Sequence, residues 1–198
     1  MKVSVIVTTH NTERYLLKCM DSIFNQTLSD IEIIIADDAS TDSTPQIATE
    51  LAKTHEYVLF LPLSTSLGPG GARNKALQQA SGEYISFIDS DDWMDLNYLE
   101  VMYNKAQQLN ADIVTCSLMR EYDYITTSPV YKCKYDQDYV LSGEIAFRIM
   151  TNEYNYGIKF LPSALNKIYR KTNIFKRIIK NNKTLLLIYC KMFSRGVR

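Results

Sequence analysis

The sequence has few of the residues that build zinc or disulfide sites. Its four cysteines are scattered without a C-x-x-C spacing, and it has only two histidines. This pattern argues against structural zinc and against a disulfide framework, and it is typical of reduced thiols in the cytoplasm. We therefore expect a cytoplasmic protein whose cysteines are free.

Apolar runs long enough to cross a membrane are also missing. The longest late run, residues 185–189, is far shorter than the roughly 20 residues that span a bilayer. The N-terminal run, residues 3–7, is followed at once by polar residues, which is unlike a secretory signal. We expect any contact with the inner face of a membrane to be peripheral.

Acidic residues are absent beyond Glu153. All 22 Asp and Glu lie at or before that residue, whereas the 22 Lys and Arg divide into 11 before it and 11 after it. The net charge of zero therefore conceals an acidic body and a basic end. Basic segments bind anionic membrane surfaces, so a peripheral contact by residues 171–198 is one interpretation of this segment. We expect no nucleic acid partner.

Short strand-like runs alternate with segments of helical periodicity. The predicted strands are 3–7, 31–36, 57–63, 83–88, 111–116 and 166–170, and the predicted helices begin at 12, at 41 or 42, after 71, at 95 and at 142. Residues 119–139 show no clear period and are predicted to be irregular. The alternation predicts a single α/β domain, with a Rossmann-like, mainly parallel sheet flanked by helices.

Polar groups follow four of the predicted strands. They are His10 with Asn11, Asp37 with Asp38, the glycine-rich loop 68–71, and the acidic run 89–92. Ligands in parallel α/β sheets bind beyond the carboxyl ends of the strands. We therefore expect these four segments to form one site.

The stretch YISFIDSDDW places Asp89 and Asp91 two residues apart at the end of a predicted buried strand. If the chain continues in extended form, the two carboxylates point the same way. Carboxylate oxygens that leave other positions open suit Mg²⁺ or Mn²⁺ shared with a diphosphate. The alternative interpretation is a solvated acidic turn.

The remaining polar segments each have two interpretations. Asp37 and Asp38 could contact a base or ribose, or form a turn before a helix, and the two are compatible. The loop 68–71 could present N–H groups to an anion beside Arg73, although it fits neither the dinucleotide-binding nor the P-loop pattern. Trp93 is expected to pack at a helix start, with sugar stacking as the alternative.

Together these segments resemble the inverting glycosyltransferases of family 2, which have the GT-A fold. The likeness runs from residue 3 to about residue 116 and rests on VSVIVTTHN with Glu13, ADDASTD, GGARNKAL and ASGEYISFIDSDDW, and more weakly on LNKIYRK. Each segment is short, but their spaced combination is specific. We expect a nucleotide-sugar-binding core at 1–117, an acceptor-side extension at 118–170 and a basic C-terminal segment at 171–198.

This resemblance implies a UDP-sugar or similar donor and a glycan or lipid-linked acceptor, as in polysaccharide synthesis at the cell envelope. It implies Mg²⁺ or Mn²⁺ bound by Asp91 together with Asp89, the acids of a D-x-D motif. The residues that it places at the nucleotide sugar are Thr8, His10, Asn11, Glu13, Asp37, Asp38, Arg73, Asp89, Ser90 and Asp91.

The resemblance also implies an acidic general base after the LNKIYRK segment, where it would deprotonate the acceptor. Lys191 and Met192 stand at the matching positions, and neither accepts a proton at neutral pH. We interpret this as a truncation or a change of reading frame. The alternatives are a base supplied by Asp92, by Glu153 or by a partner chain, or a tail that serves membrane binding.

Two classes of function follow. The first is a metal-dependent, hexosyltransferase-like inverting glycosyltransferase, whose turnover requires a base from one of these sources. The second is a non-catalytic nucleotide-sugar-binding or assembly subunit on the same fold. A phosphatase with an aspartyl nucleophile is disfavoured, because it would carry the acidic pair on the first strand and need acids further along the chain.

Overall fold

The computed structural model describes residues 1–122, 126–129, 138–150, 164–174 and 185–197. The elements in chain order are β1 Val3–Thr9, α1 Leu16–Phe24, β2 Ile31–Asp37, α2 Thr44–Thr54, β3 Val58–Pro62, α3 Gly68–Leu77, β4 Tyr84–Asp89, β5 Asp92–Met94, α4 Tyr98–Leu109, β6 Ile113–Tyr122, β7 Thr126–Pro129, β8 Tyr139–Ser142, α5 Gly143–Met150, β9 Lys167–Arg170, α6 Lys171–Ile174 and β10 Leu185–Val197. Strands and helices therefore alternate through β4, as the periodicity predicts.

The described strands form one sheet in the order β3-β2-β1-β4-β9-β6-β10-β5, with β7 beside β6 and β8 beside β10. Strands β1 to β4 run parallel, and β9 enters antiparallel between β4 and β6. In register, Thr8 pairs with Asp89 and Thr9 pairs with Asp37. The carboxyl ends of β1, β2 and β4 therefore lie together at one edge of the sheet.

The alternation of side chains along the central strands divides the core into two faces. Val3, Val5 and Val7 of β1 pack with α1, α2 and α4, whereas Ile6 packs with α3 on the other face. Successive side chains of a strand point to opposite faces, so β1, which is covered on both, is buried throughout. By the same alternation Thr8 belongs to the α3 face.

Helix α1 begins later than the sequence predicts. It starts at Leu16 rather than Thr12, because the N–H groups of Thr12 and Glu13 donate to Thr44 Oγ1 at 2.9 Å and to Asp42 Oδ2 at 3.2 Å. These bonds tie the stretch before α1 to the start of α2. The expected helix start at residue 12 is therefore wrong.

The second half of the chain contains more strand than the sequence predicts. Residues 92–94 form β5, so Trp93 lies in a strand and α4 begins at Tyr98 rather than at residue 95. Strand β6 continues to Tyr122 and is joined by β7, where an irregular region was expected. The basic C-terminal segment contributes β10, which pairs with β5, β6 and β8. These pairings join distant parts of the chain, which local periodicity cannot encode.

The helix predicted at residue 142 is present as α5. The N–H of Ile145 donates to Ser142 Oγ at 3.4 Å, which is the predicted cap. Of the helices in the described ranges, none has the length and apolar character needed to cross a membrane.

Candidate functional site

A cleft of about 380 Å³ opens at the carboxyl edge of β1, β2 and β4. Its walls include Thr8 and His10 at the end of β1, Asp38 after β2 and residues 89–91 after β4. The loop before α3 closes one side with Ser66. Small-ligand sites have volumes of about 300–1,000 Å³, so the cleft is of a suitable size. The four segments that were predicted to meet lie around it.

Asp89, the last residue of β4, is held from two sides. Its Oδ1 accepts hydrogen bonds from Thr8 Oγ1 at 2.8 Å and from Arg73 Nη2 at 2.5 Å. Thr8 is its register partner on β1, and Arg73 reaches it from α3. The side chains of Arg73 and Asp89 are 21% and 34% exposed. The charge of Asp89 is therefore compensated within the protein.

Ser90 and Asp91 form a turn, so the predicted extended continuation of β4 is wrong. The N–H of Ser90 donates to the Thr8 carbonyl at 3.2 Å, and its Oγ donates to Thr12 Oγ1 at 2.8 Å. These bonds fix the chain as it turns from β4 into β5. Ser90 is therefore buried although it lies in the turn.

The carboxylates around this turn nevertheless converge. One oxygen each of Asp89, Asp91 and Asp92 lies within 4.8 Å of the others. Among the described residues no donor bonds to Asp91. Carboxylate oxygens are hard donors of the kind that Mg²⁺ and Mn²⁺ prefer. Burial and these three carboxylates raise the pKa of the Cys19 thiol, which donates to the Asp89 carbonyl.

Asp38 lines the cleft and holds the start of α3, which begins at Gly68, so the glycine-rich run that was predicted to be a loop lies in the helix. Its carboxylate accepts hydrogen bonds from Ser66 Oγ at 2.7 Å and from the N–H groups of Leu67 at 2.6 Å and Gly68 at 3.0 Å. Burial alone would raise the pKa of this carboxyl, but these three bonds and the nearby His10 lower it below its ordinary value. Gly68 adopts a φ of +71°, a conformation that glycine reaches without strain. Asp38 therefore remains ionised.

Asp37 makes a different set of contacts. Its carboxylate accepts hydrogen bonds from Thr9 Oγ1 at 2.8 Å, from the Ser40 N–H at 3.0 Å and from Ser40 Oγ. It is 2% exposed and is not part of the cleft wall. The geometry separates the two interpretations of the acidic pair, because Asp37 makes the turn whereas Asp38 lines the cleft.

The loop after β1 faces the cleft through His10. The Nδ1–H of His10 donates to the Asp38 carbonyl at 2.7 Å, and Nε2 of His10 lies 3.4 Å from the side-chain amide nitrogen of Asn11. Asn11 Oδ1 accepts the Thr41 N–H at 2.8 Å, and the carboxylate of Glu13 accepts an N–H at the start of α2 at 2.9 Å. Asn11 and Glu13 therefore hold the loop before α2 and do not line the cleft.

Of the candidates for a general base, Asp92 lies in the group of three carboxylates. Glu153 lies outside the described residues. Lys191 and Met192 lie in β10, whose pairing with β6 changes register on both sides of Met192. In the same strand Gly196 pairs with Asp92 of β5. Lys191 and Met192, which match the expected base, therefore lie where the pairing of β10 with β6 is irregular.

Trp93 lies in β5, next to the carboxylate group. Lys18 Nζ of α1 lies 3.6 Å from the centroid of its indole ring, a cation–π contact. One face of the ring is therefore covered by a lysine. The expected helix start at Trp93 is wrong, because this residue lies in a strand, and packing and sugar stacking both stay predictions.

Sequence reasoning missed several residues at this edge. Thr12 bonds Ser90, and Ser66 bonds Asp38, although neither belongs to a recognisable pattern. Lys167, from the weak LNKIYRK segment, is 4% exposed. Its Nζ donates to a backbone carbonyl and to a side-chain amide oxygen, each at 3.1 Å, and burial lowers its pKa to about 8.

Comparison with known proteins agrees with this architecture. The model of the family "Glycosyl transferase family 2" matches residues 4–194, and the chain belongs to that family. A relative is the putative glycosyltransferase EpsH of Bacillus subtilis, which is 41% identical over 178 residues, 87% of this chain and 48% of EpsH. The predicted family is therefore confirmed.

Two further relatives match the first part of the chain. Glycosyltransferase GlyA of Streptococcus pneumoniae is 41% identical over 112 residues, 57% of this chain and 16% of GlyA. A GalNAc(5)-diNAcBac-PP-undecaprenol beta-1,3-glucosyltransferase of Campylobacter jejuni is 38% identical over 122 residues, 61% of this chain and 40% of that protein. The chain spans less than half the length of each of these relatives and of EpsH.

Solved structures match the fold. S. aureus TarS 1–349 in complex with UDP-GlcNAc covers 100% of this chain with a TM-score of 0.81 at 24% identity, and 59% of that protein is matched. The mannosyltransferase PcManGT from Pyrobaculum calidifontis, in complex with GDP-Man and Mn²⁺, covers 58% of this chain with a TM-score of 0.55 at 28% identity, and 35% of it is matched. The predicted GT-A fold is confirmed.

Proposed function

We propose that this chain binds a nucleotide sugar, with a UDP-sugar as donor, together with Mg²⁺ or Mn²⁺. It then transfers the sugar to an acceptor hydroxyl, with inversion at the anomeric carbon. The observation that carries the proposal is the meeting of Asp38, Asp89 and Asp91 around one cleft at the ends of β2 and β4. Carboxylates crowded in this way are stabilised by a bound cation.

The metal is assigned to the turn after β4. Asp91 and Asp89 are the ligands in this proposal, and Asp92 lies close enough to join them. A divalent cation held there supplies positive charge that stabilises the departing diphosphate. Thr8 contributes by orienting the Asp89 carboxylate through its hydrogen bond at 2.8 Å.

The nucleotide is assigned to the side of the cleft formed by β1 and β2. The ionised Asp38 is an acceptor for N–H or O–H groups of a base or ribose, and His10 lines the cleft beside it. Arg73 has a buried Nε that bonds to nothing among the described residues, so it has a donor to offer a phosphate. We assign a supporting role to four residues whose hydrogen bonds hold the loops and the turn around the cleft: Asn11, Glu13, Asp37 and Ser90.

The similar structures support the donor and the metal. TarS 1–349 was solved with UDP and with UDP-GlcNAc, and it matches the whole of this chain. PcManGT holds GDP-Man and Mn²⁺ and matches a shorter part. We therefore favour a uridine nucleotide over a guanosine nucleotide, with a divalent cation in either case.

For the acceptor we propose a glycan or lipid-linked hydroxyl, of the kind used to build cell-envelope polysaccharides. The relative from Campylobacter jejuni, whose name includes an undecaprenol-linked glycan, supports this class. We assign donor binding to residues 1–117 and the acceptor side to residues 118–170. A membrane contact by residues 171–198 and a cytoplasmic location stay predictions.

The general base separates the proposed enzyme from a second candidate function. A transferase requires an acid at the acceptor hydroxyl, and we propose Asp92, Glu153 or a residue of a partner chain. Lys191 and Met192 stand at the positions where the family resemblance implies the base. That observation favours the second candidate, a non-catalytic nucleotide-sugar-binding or assembly subunit.

Calorimetric titration with UDP- and GDP-sugars, with and without Mn²⁺, tests the proposal, followed by an assay for release of the nucleotide in the presence of varied acceptors. We expect metal-dependent binding of a UDP-sugar and release of UDP. Binding without release across all acceptors would favour the assembly subunit. If no nucleotide sugar binds in Mg²⁺ or in Mn²⁺, both the proposed transferase and the proposed assembly subunit are wrong.

A further inference from the structure

Arg73 connects the two halves of the proposed site. It lies in the second turn of α3, and its Nη2 donates to Asp89 Oδ1 at 2.5 Å. Its Nε is buried and has no hydrogen-bond partner among the residues that the structure describes. The Nη2 group of Arg73 therefore binds Asp89, one of the proposed metal ligands, while its Nε–H has no acceptor among the described residues.

A buried N–H without an acceptor is unfavourable, so the arrangement around Arg73 is incomplete. The guanidinium has five donors in a planar fork that matches two oxygens of a carboxylate or a phosphate. Asp89 presents only one of its oxygens to this fork, and that oxygen also accepts the Thr8 hydroxyl. The ion pair thus leaves Arg73 with donors suited to a further anion.

We propose that Arg73 is an exchangeable counter-ion that couples binding of the metal to binding of the diphosphate. In the free protein Arg73 compensates the charge of Asp89. A divalent cation on Asp89 and Asp91 takes over that compensation, and Arg73 then directs its donors to the diphosphate. The inference rests on the proposed function, since it requires both ligands to bind in this cleft.

The electrostatics favour such an exchange. Carboxylate oxygens of Asp89, Asp91 and Asp92 lie within 4.8 Å of one another, and Arg73 is the cation paired with Asp89. Because the Arg73 and Asp89 side chains are only 21% and 34% exposed, solvent does not fully screen the repulsion between a bound cation and the guanidinium. The hydrogen bond from the neutral Thr8 hydroxyl does not oppose the cation in this way.

An exchangeable counter-ion and a fixed structural ion pair predict different effects of Arg73→Gln. If the pair is only structural, the variant is less stable and binds both ligands more weakly or unchanged. If Arg73 is exchangeable, Mn²⁺ alone binds more tightly, because its competitor at Asp89 is gone. A nucleoside diphosphate alone binds more weakly, because its cation is gone. We expect changes of about fivefold or more in opposite directions, the size that one partly buried charge produces.

The experiment compares the unmodified chain with Arg73→Gln, Arg73→Lys and the control Lys75→Gln. Lys75 is an exposed cation on the same helix, so its variant makes the same change of net charge away from Asp89. Mn²⁺ affinity without nucleotide is measured from the electron paramagnetic resonance signal of free Mn²⁺. Affinities for UDP and GDP are measured by calorimetry in EDTA, and Mn²⁺ affinity is then repeated with saturating nucleotide.

We expect Arg73→Gln to shift the two affinities oppositely and to reduce the tightening of Mn²⁺ by the nucleotide, while Lys75→Gln leaves all three values unchanged. Arg73→Lys keeps the charge but lacks the planar fork, so it is expected to bind Mn²⁺ normally and the nucleotide several-fold more weakly. Should Arg73→Gln fail to fold, the Lys variant decides, and an unchanged nucleotide affinity in it overturns the inference.

Two other results overturn the inference and are distinguishable. If the unmodified chain binds both ligands but a folded Arg73→Gln shifts them in the same direction, or matches Lys75→Gln, only the role of Arg73 is wrong. If the unmodified chain binds neither Mn²⁺ nor a nucleoside diphosphate, the proposed function fails and the inference fails with it.

Discussion

Asp37 and Asp38 are neighbours in the chain, but their carboxylates serve different parts of the structure. Asp37 accepts hydrogen bonds from Thr9 and Ser40, which close the turn after β2. Asp38 accepts its bonds from the loop before α3, across the cleft. Adjacent acids of the same type should therefore give separable effects when each is changed.

We expect Asp37→Asn to lower the free energy of unfolding by about 2 kcal/mol, because hydrogen bonds to a buried carboxylate are lost or weakened. Its affinity for uridine should not change, since the side chain is outside the cleft wall. Asp38→Asn should weaken uridine binding several-fold in the absence of metal. Urea unfolding and calorimetry measure the two quantities. Equal uridine affinity in both variants would remove Asp38 from the nucleotide site.

Asp91→Asn is expected to abolish the effect of Mn²⁺ on UDP binding without unfolding the protein. The Asp91 carboxylate accepts no hydrogen bond from the described residues, so its replacement costs little stability. The control is Asp30→Asn, an exposed acid that precedes β2 at the opposite edge of the sheet. UDP titrations in Mn²⁺ and in EDTA provide the measurement. A variant that keeps the full metal effect would refute the assignment of Asp91 as a ligand.

Gly68→Ala and Gly70→Ala form a matched pair in α3. Gly68 has a φ of +71°, where a Cβ is strained, so we expect Gly68→Ala to destabilise the protein by about 1 kcal/mol or more. A Cβ at Gly70 meets no atom within 4 Å, and alanine favours the helix, so Gly70→Ala should be neutral or stabilising by up to about 1 kcal/mol. Thermal unfolding compares them. A stabilising Gly68→Ala would contradict the positive φ of Gly68.

Lys167→Met is expected to change how stability depends on pH. Burial lowers the pKa of Lys167 from 10.5 to about 8, so between these values the unfolded chain binds more protons than the folded one. Stability of the unmodified protein should therefore rise with pH across this window. At pH 7 the variant should be more stable by about 3 kcal/mol, an advantage that disappears towards pH 10.5.

Urea unfolding of both proteins between pH 7 and pH 10.5 measures this difference. The exposed Lys75 provides the control, because Lys75→Met makes the same substitution at a residue that faces solvent. A stability difference for Lys167→Met that stays constant over the whole range would show that the folded protein does not depress the pKa of Lys167.

Much of the first half of the fold could be predicted from local patterns. Short apolar runs marked β1, β2, β3 and β4, and their parallel direction follows from the helices between them. The polar residues after these strands could then be placed at one edge without knowledge of any contact, because parallel strands end on the same side. Strands β5, β7, β8 and β10 were missed, because their residues become strands only through distant partners.

The sequence by itself determined the family, the α/β alternation and the set of carboxylates available to a metal and a nucleotide. Only the tertiary structure decided which of them faces the cleft: Asp38 does so and Asp37 does not, because they accept hydrogen bonds from different loops. It also decided that Arg73 meets Asp89, which no spacing in the chain encodes. Such pairings depend on the register between strands and on the face that each helix covers. Both arise from contacts between residues far apart in sequence.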